Sequence, residues 1–181
     1  MVKLKIILVG PPEAGKSTIA NFLSEAIDYT NYEYRPTPGV RILEFDVNHR
    51  NTEVELWDCS GEDKYESLWP VFLWNANAVI IVYNPENSNH IMELDRLSDH
   101  FIVKSMVPHT NALLVANCKD PTHKPSPPDF HGTLASITHV HANVVENGDL
   151  LKSSFEKFVT SISDGKSLIN DDLGFLSLPI Q

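Results

Sequence analysis

Residues 10–18 read GPPEAGKST, and no other stretch restricts the possible folds of this chain so strongly. Gly10, Gly15, Lys16 and Ser17 stand in the order G-x-x-x-x-G-K-[ST]. An apolar run, Leu4 to Val9, precedes them, and a helical stripe of Ile19, Phe22, Leu23 and Ala26 follows. A strand, a glycine-rich turn and a helix in this order form a phosphate-binding loop. Its backbone N–H groups and the helix N-terminus cradle α- and β-phosphates, Lys16 reaches the β- and γ-phosphates, and Ser17 offers a hydroxyl to Mg²⁺. A glycine turn without a ligand is the alternative, and it needs both spacing and flanks to arise by chance.

Short β-rich runs alternate with helical stretches: 4–9, 40–47, 52–57, 78–83, 112–116 and a weaker one at 134–140. That alternation predicts an α/β sandwich with a six-stranded, mostly parallel sheet. The turn-rich Asn48-His49-Arg50-Asn51 joins two of the runs as an antiparallel hairpin, the one exception to parallel pairing. Besides the helix after the phosphate loop, Ile91, Leu94, Leu97, Phe101 and Ile102 mark a second helix. Leu151, Phe155, Phe158, Val159 and Ile162 mark a third, with Gly148-Asp149 as its start signal. Four prolines within 119–133 forbid a normal helix there, so the fourth helix of such a sandwich is expected to be missing or shortened. With 181 residues, 42% of them hydrophobic, one domain over 1–163 is expected, followed by a flexible tail over 164–181.

Charge and cysteine content exclude several functions. A formal net charge of −10 argues against a nucleic-acid backbone as ligand, which calls for clustered Lys and Arg. Cys59 and Cys118, the two cysteines, lack partners at metal-ligand spacing, so a reducing compartment is expected. Neither a leader, a myristoylation glycine nor a prenylation cysteine is found, and a direct lipid anchor is not expected. His139 and His141 alternate on a strand and are read as hydrogen-bonding residues rather than metal ligands.

Further motifs extend the phosphate site. WDCSGED places Asp58 and Gly61 in a D-x-x-G arrangement after a strand. Asp58 is assigned to Mg²⁺ and the Gly61 N–H to a γ-phosphate. RPTPGV supplies Thr37 between the first helix and the second strand, completing with Ser17 and Asp58 a set of oxygen ligands for Mg²⁺.

Together these segments resemble the Ras superfamily, and TPGV and WD look most like Rab. NFLSE, PTPGVRILEF, ELWDCSGEDKYESLWP, the SPP loop and HVHAN are similar to the Rab-like subunit of intraflagellar transport complex B. The resemblance covers nearly all of the chain to residue 163. It implies the three-layer Ras-like fold and GTP or GDP with Mg²⁺ as ligands, with Glu13, Ala14 and Thr18 joining the loop residues above around the nucleotide. It further implies that Asn117 and Asp120 meet the guanine, that Lys119 lies on or near the base, and that Ala142 contributes a backbone N–H. An adaptor in the cytoplasm and the cilium is implied, docked through its switch face on coiled-coil subunits of the complex. Ile42, Trp57, Leu68, Trp69, Phe72 and Trp74 are the residues assigned to that face, their apolar area exceeding what one buried stripe needs.

Two departures from the family pattern bear on activity. Glu62 stands where the attacking water is normally oriented by glutamine. With Lys16 and Thr37 it makes up the catalytic set, and its charge predicts slow hydrolysis. VANCKD at 115–120 moves the lysine of Asn-Lys-x-Asp one place on, and Pro121 follows, which predicts weaker or rearranged guanine binding. A regulatory GTPase that turns over, and a P-loop kinase using ATP, are the alternatives. The kinase lacks an arginine-rich lid.

Overall fold

The computed structural model describes residues 2–26, 36–47, 51–120 and 128–174, the stretch from 166 by backbone alone. Six strands, β1 (Val2–Val9), β2 (Val40–Val47), β3 (Thr52–Cys59), β4 (Ala78–Tyr83), β5 (Ala112–Asn117) and β6 (Thr138–Ala142), form one sheet in the order β2-β3-β1-β4-β5-β6. β2 and β3 pair antiparallel, from Val40 opposite Cys59 to Val47 opposite Thr52, and every other pair is parallel. The expected sandwich is therefore present. Asn51 adopts a left-handed conformation beside Thr52, while residues 48–50 of the expected hairpin turn lie outside the described residues.

β4 and β5 are buried at every position, because helices cover both faces of the central sheet. Side chains alternate between the faces, so Ile6 and Leu8 of β1 join one core and Ile7 and Val9 the other. The first core is closed by α1 (Lys16–Ser24) and α5 (Val144–Gly174), through Ile19, Leu23, Leu151, Phe155 and Phe158. The second is closed by α2 (Trp69–Leu73) and α3 (Ser88–Ser98), through Trp69, Phe72, Leu94 and Leu97. A π-helical turn over Asp99–Lys104 continues α3 and keeps Phe101 and Ile102 in that core.

Several boundaries differ from the sequence reading. α1 ends at Ser24 because Glu25 takes a left-handed conformation (φ 52°), its N–H directed to the Asn21 and Phe22 carbonyls. Ala26, expected on the helix stripe, is consequently outside it and exposed. α5 opens with a turn capped by Asn143, whose Oδ1 accepts from the N–H groups of Val145 and Glu146. The helix breaks at Asn147 (φ −136°, ψ 37°) and resumes at Gly148, so the expected start signal marks the resumption. Gly148 packs against the Phe22 ring, where a Cβ would lie 2.5 Å from Cζ and would require the ring to shift. Helical backbone then runs past 163 to Gly174, so the expected tail boundary does not coincide with the helix end; residues 175–181 lie outside the described residues.

Among the described residues the fourth helix is a single turn, α4 (Gly132–Ala135), in keeping with the prolines; residues 121–127 of the proline segment lie outside the described residues. Leu134, expected in the last strand, belongs to this turn, and β6 begins only at Thr138.

Candidate functional site

The carboxyl end of β1 feeds directly into the glycine loop and α1, the position at which open α/β sheets hold ligands. Gly10 (φ 153°) passes so close to β4 that a Cβ would stand 2.0 Å from the Val82 carbonyl oxygen. Only glycine fits. Beside the loop lies a cavity of about 740 Å³ whose wall includes Glu13, Gly15, Lys16, Ser17, Thr18, Thr37, Gly61, Glu62, Asn117 and Lys119. Most of the residues selected from four separated motifs are thus brought to one place.

Lys16 is 7% exposed, and its Nζ donates to the carbonyls of Gly10 (2.9 Å) and Pro11 (2.7 Å). Burial pulls the ammonium pKa down to about 8, with the Asp58 charge acting in the opposite direction. Gly61 closes over it: a Cβ there would be 2.6 Å from Lys16 Nζ and 2.5 Å from the Gly10 carbonyl oxygen. The D-x-x-G segment therefore rests on the glycine loop itself.

The three expected metal ligands converge. Ser17 Oγ and Thr37 Oγ1 are 2.9 Å apart, and Asp58, fully buried at the end of β3, lies next to them. Asp58 Oδ1 is buried without a hydrogen bond, and burial raises the carboxyl pKa, opposed by the nearby Ser17 hydroxyl, Arg41 and Lys16. Two hydroxyls and a carboxylate with an orphaned oxygen are hard donors suited to Mg²⁺. Arg41, which the sequence reading passed over, occupies the same region: its Nη2 donates to Asp58 Oδ2 at 3.1 Å and to the Ser17 carbonyl at 3.4 Å. The signal was a basic residue in β2 directly opposite Asp58 in the hairpin register.

Glu62 is in the cavity wall and pairs with Lys64 at 3.0 Å. At the other end, the buried Asn117 donates from Nδ2 to the Ala14 carbonyl at 2.9 Å, which fixes the loop after β5 against the glycine loop. Cys118 N–H bonds to the Ala142 carbonyl at 2.8 Å. Asp120 is exposed and, unlike Lys119, is not among the described residues that line the cavity. Ala142, expected to contribute its N–H, is buried within β6, and the wall is made instead by the next residues, Asn143, Val144 and Val145. Parallel pairing of β6 with β5 puts Ala142 in the sheet, one step short of the cavity. His90 also went unrecognised: it is buried, accepts the Asn84 N–H on Nδ1 at 3.2 Å, and lies against the Pro12 backbone.

The apolar face divides into two groups. Trp69 (6% exposed) and Phe72 (2%) are core residues rather than surface contacts, Trp69 packing on His100 and Phe101 with ring centroids 4.7 Å apart in each case. Their place on the inward side of α2 decides this. Ile42, Leu68, Val71 and Trp74 are exposed, Trp74 to 74%. Trp57, opposite Ile42 in the hairpin, is half-buried beneath Lys5, whose Nζ is 3.6 Å from the ring centroid and also donates to the Trp74 carbonyl at 2.8 Å.

His139 hydrogen-bonds Tyr83 Oη through Nε2 at 3.1 Å and contacts His141 ring to ring. Among the described residues no group of three or more His, Cys, Asp or Glu could hold a metal, and no helix is long and apolar enough to cross a membrane.

The family model described as Ras of Complex, Roc, domain of DAPkinase matches residues 5–120. The intraflagellar transport protein 22 homologs of Mus musculus and Homo sapiens are 38% and 37% identical to the chain over 184 residues, covering 94% of it and 96% of each relative. Among solved structures, GDP-bound T. brucei IFT22 superposes with a TM-score of 0.70 at 26% identity, covering 90% of this chain and 97% of that one. The GTP-bound T. brucei IFT22/74/81 structure matches with the same score and identity over 89% and 97%.

Proposed function

The chain belongs to the intraflagellar transport protein 22 family, with its Ras-like GTPase fold, and on that premise we propose that it is a guanine-nucleotide-binding adaptor of intraflagellar transport complex B, working in the cytoplasm and at the cilium or flagellum. One observation carries the nucleotide part of this reading: the glycine loop, Ser17 and Thr37 line one cavity although they come from distant segments, and the buried Asp58 lies behind that wall, bonded to its Arg41. GDP- and GTP-bound relatives of the same fold support it. Mg²⁺ would be held by Ser17, Thr37 and Asp58, where it would neutralise phosphate charge and complete the switch contacts. Lys16, buried and with a lowered pKa, is placed to give its charge to the β- and γ-phosphates once it exchanges the Gly10 and Pro11 carbonyls for phosphate oxygens.

Asn117 fixes the far end of the site, and Lys119 with Asn143 to Val145 walls the space for a base. Base selectivity then rests on this wall and on Asp120. Glu62 gives slow hydrolysis, since a carboxylate beside a γ-phosphate repels it and offers no amide donor to orient water.

For the adaptor role, the exposed Ile42, Leu68 and Trp74, with Trp57 between them, form an apolar surface along β2, β3 and the α2 segment. It is the surface we assign to coiled-coil subunits of the complex; the T. brucei relative solved together with IFT74 and IFT81 supports partners from that complex. The test is calorimetric titration of nucleotide-free protein with GDP, GTP, ADP and ATP in Mg²⁺. Selective guanine binding is the expected result; equal binding of adenine and guanine, or none, would leave a scaffold that retains only the GTPase shape.

A further inference from the structure

Arg41 sits where a Ras-like site needs room for a dication. Its Nη2 is 3.1 Å from Asp58 Oδ2 and 3.4 Å from the Ser17 carbonyl oxygen, within the same group of atoms as the Ser17 and Thr37 hydroxyls. The pairing is built into the sheet. Arg41 and Asp58 are directly opposed in the antiparallel β2–β3 ladder, and opposed residues project from the same face. Lys16, the other nearby cation, spends its Nζ on two backbone carbonyls, so the salt-bridge partner of Asp58 among the described residues is Arg41.

The pair is also incomplete. Asp58 Oδ1 and Arg41 Nε are both buried without hydrogen-bond partners. The orphaned oxygen leaves Asp58 with capacity for a second cation, and because a buried carboxylate without a counter-charge is costly, Arg41 can withdraw only where another cation takes its place. Arg41 itself is about one third exposed (35%), whereas Asp58 is at 0%, so the guanidinium has solvent to move into and the carboxylate has none.

We infer that Arg41 is a resident cation of the metal subsite, neutralising Asp58 in the absence of a dication and yielding it when Mg²⁺ binds. Mg²⁺ and the guanidinium would draw on the same carboxylate, so each opposes the other. The consequence is regulatory for the proposed site, on which this inference rests: nucleotide is held with weak dependence on Mg²⁺, because the positive charge the metal would bring is already partly present.

The test is the dissociation constant of a fluorescent N-methylanthraniloyl-GDP, measured in EDTA and in millimolar Mg²⁺, for the wild-type chain, Arg41→Ala and Arg41→Lys. Expected is a change below about threefold for wild type and at least about tenfold for Arg41→Ala, with Arg41→Lys between them. Melting temperature without nucleotide supplies a second readout, in which Mn²⁺ should stabilise Arg41→Ala more than wild type. If Arg41→Ala does not fold, Arg41→Gln, which keeps a donor for Asp58 without the charge, is measured in its place. The same Mg²⁺ dependence in variant and wild type overturns the role of Arg41 and leaves the nucleotide site standing. No binding of the GDP probe to any of the proteins overturns the nucleotide reading and the inference together.

Discussion

Asn117 and Ala14, 103 positions apart, are joined by a 2.9 Å hydrogen bond from the Asn117 side-chain amide to the Ala14 carbonyl, and Gly15 is the residue that makes room for it. A Cβ on Gly15 would stand 2.1 Å from Asn117 Nδ2. Asn117→Ala is therefore expected to cost about 1–3 kcal/mol of stability, since it leaves a buried carbonyl unpaired. Urea denaturation checks this, and nucleotide affinity should fall in parallel because the bond fixes the glycine loop. Gly15→Ala, strained by its φ of 91° as well, should be the more damaging of the two.

Glu62→Gln is expected to raise single-turnover GTP hydrolysis by about tenfold, because it removes the charge next to the γ-phosphate position and restores an amide donor. The Lys64 pair would be lost at the same time. An unchanged rate would mean that the rest of the switch, not this carboxylate, limits the chemistry.

Two neighbouring tryptophans should respond differently. Trp69→Ala empties a core position between His100 and Phe101 and should cost about 3–5 kcal/mol. Trp74→Ala, 74% exposed, should change stability by no more than about 0.5 kcal/mol. Thermal melts separate these, and a binding assay with a purified coiled-coil pair should show Trp74→Ala alone as a folded protein with impaired docking.

Burial lowers the His139 pKa from 6.5 to about 4, with His141 adding repulsion. Its folded pKa lies below the unfolded value, so between pH 6.5 and 4 the unfolded chain binds more protons, and stability rises with pH across that window. Acidification from pH 6.5 to 4 should therefore cost about 1–2 kcal/mol through this group, discounted for its partial exposure. The fall in melting temperature should be smaller in His139→Gln.

Legibility differed along the chain for reasons that can be stated residue by residue. β2 and β4 were readable to their last residues, because β-rich composition bounded by turn signals is a local property. α1 was read too long, since its end depends on Glu25 turning left-handed, a conformation its sequence neighbours do not announce. Ser17, Thr37 and Asp58, proposed as metal ligands, were picked out by motif spacing and lie together in the fold, yet Arg41 was not, because its meaning arises only from the residue that β3 sets opposite it. The same holds for Ala142 and Asn143: the motif aligned them, and the register of β6 decided which one reaches the cavity.

By itself, the sequence determined the phosphate loop, the strand and helix order, the shortness of the fourth helix among the described residues and the residue types gathered at the proposed metal site. Each of these follows from spacing, periodicity or the chemistry of proline and glycine within a few residues. Tertiary structure alone decided which of Trp69, Phe72 and Trp74 faces outward, how Asn117 fixes the glycine loop, and that a guanidinium sits on Asp58. Those depend on burial and on pairing between segments far apart in the chain, and such proximity exists only after the sheet has formed.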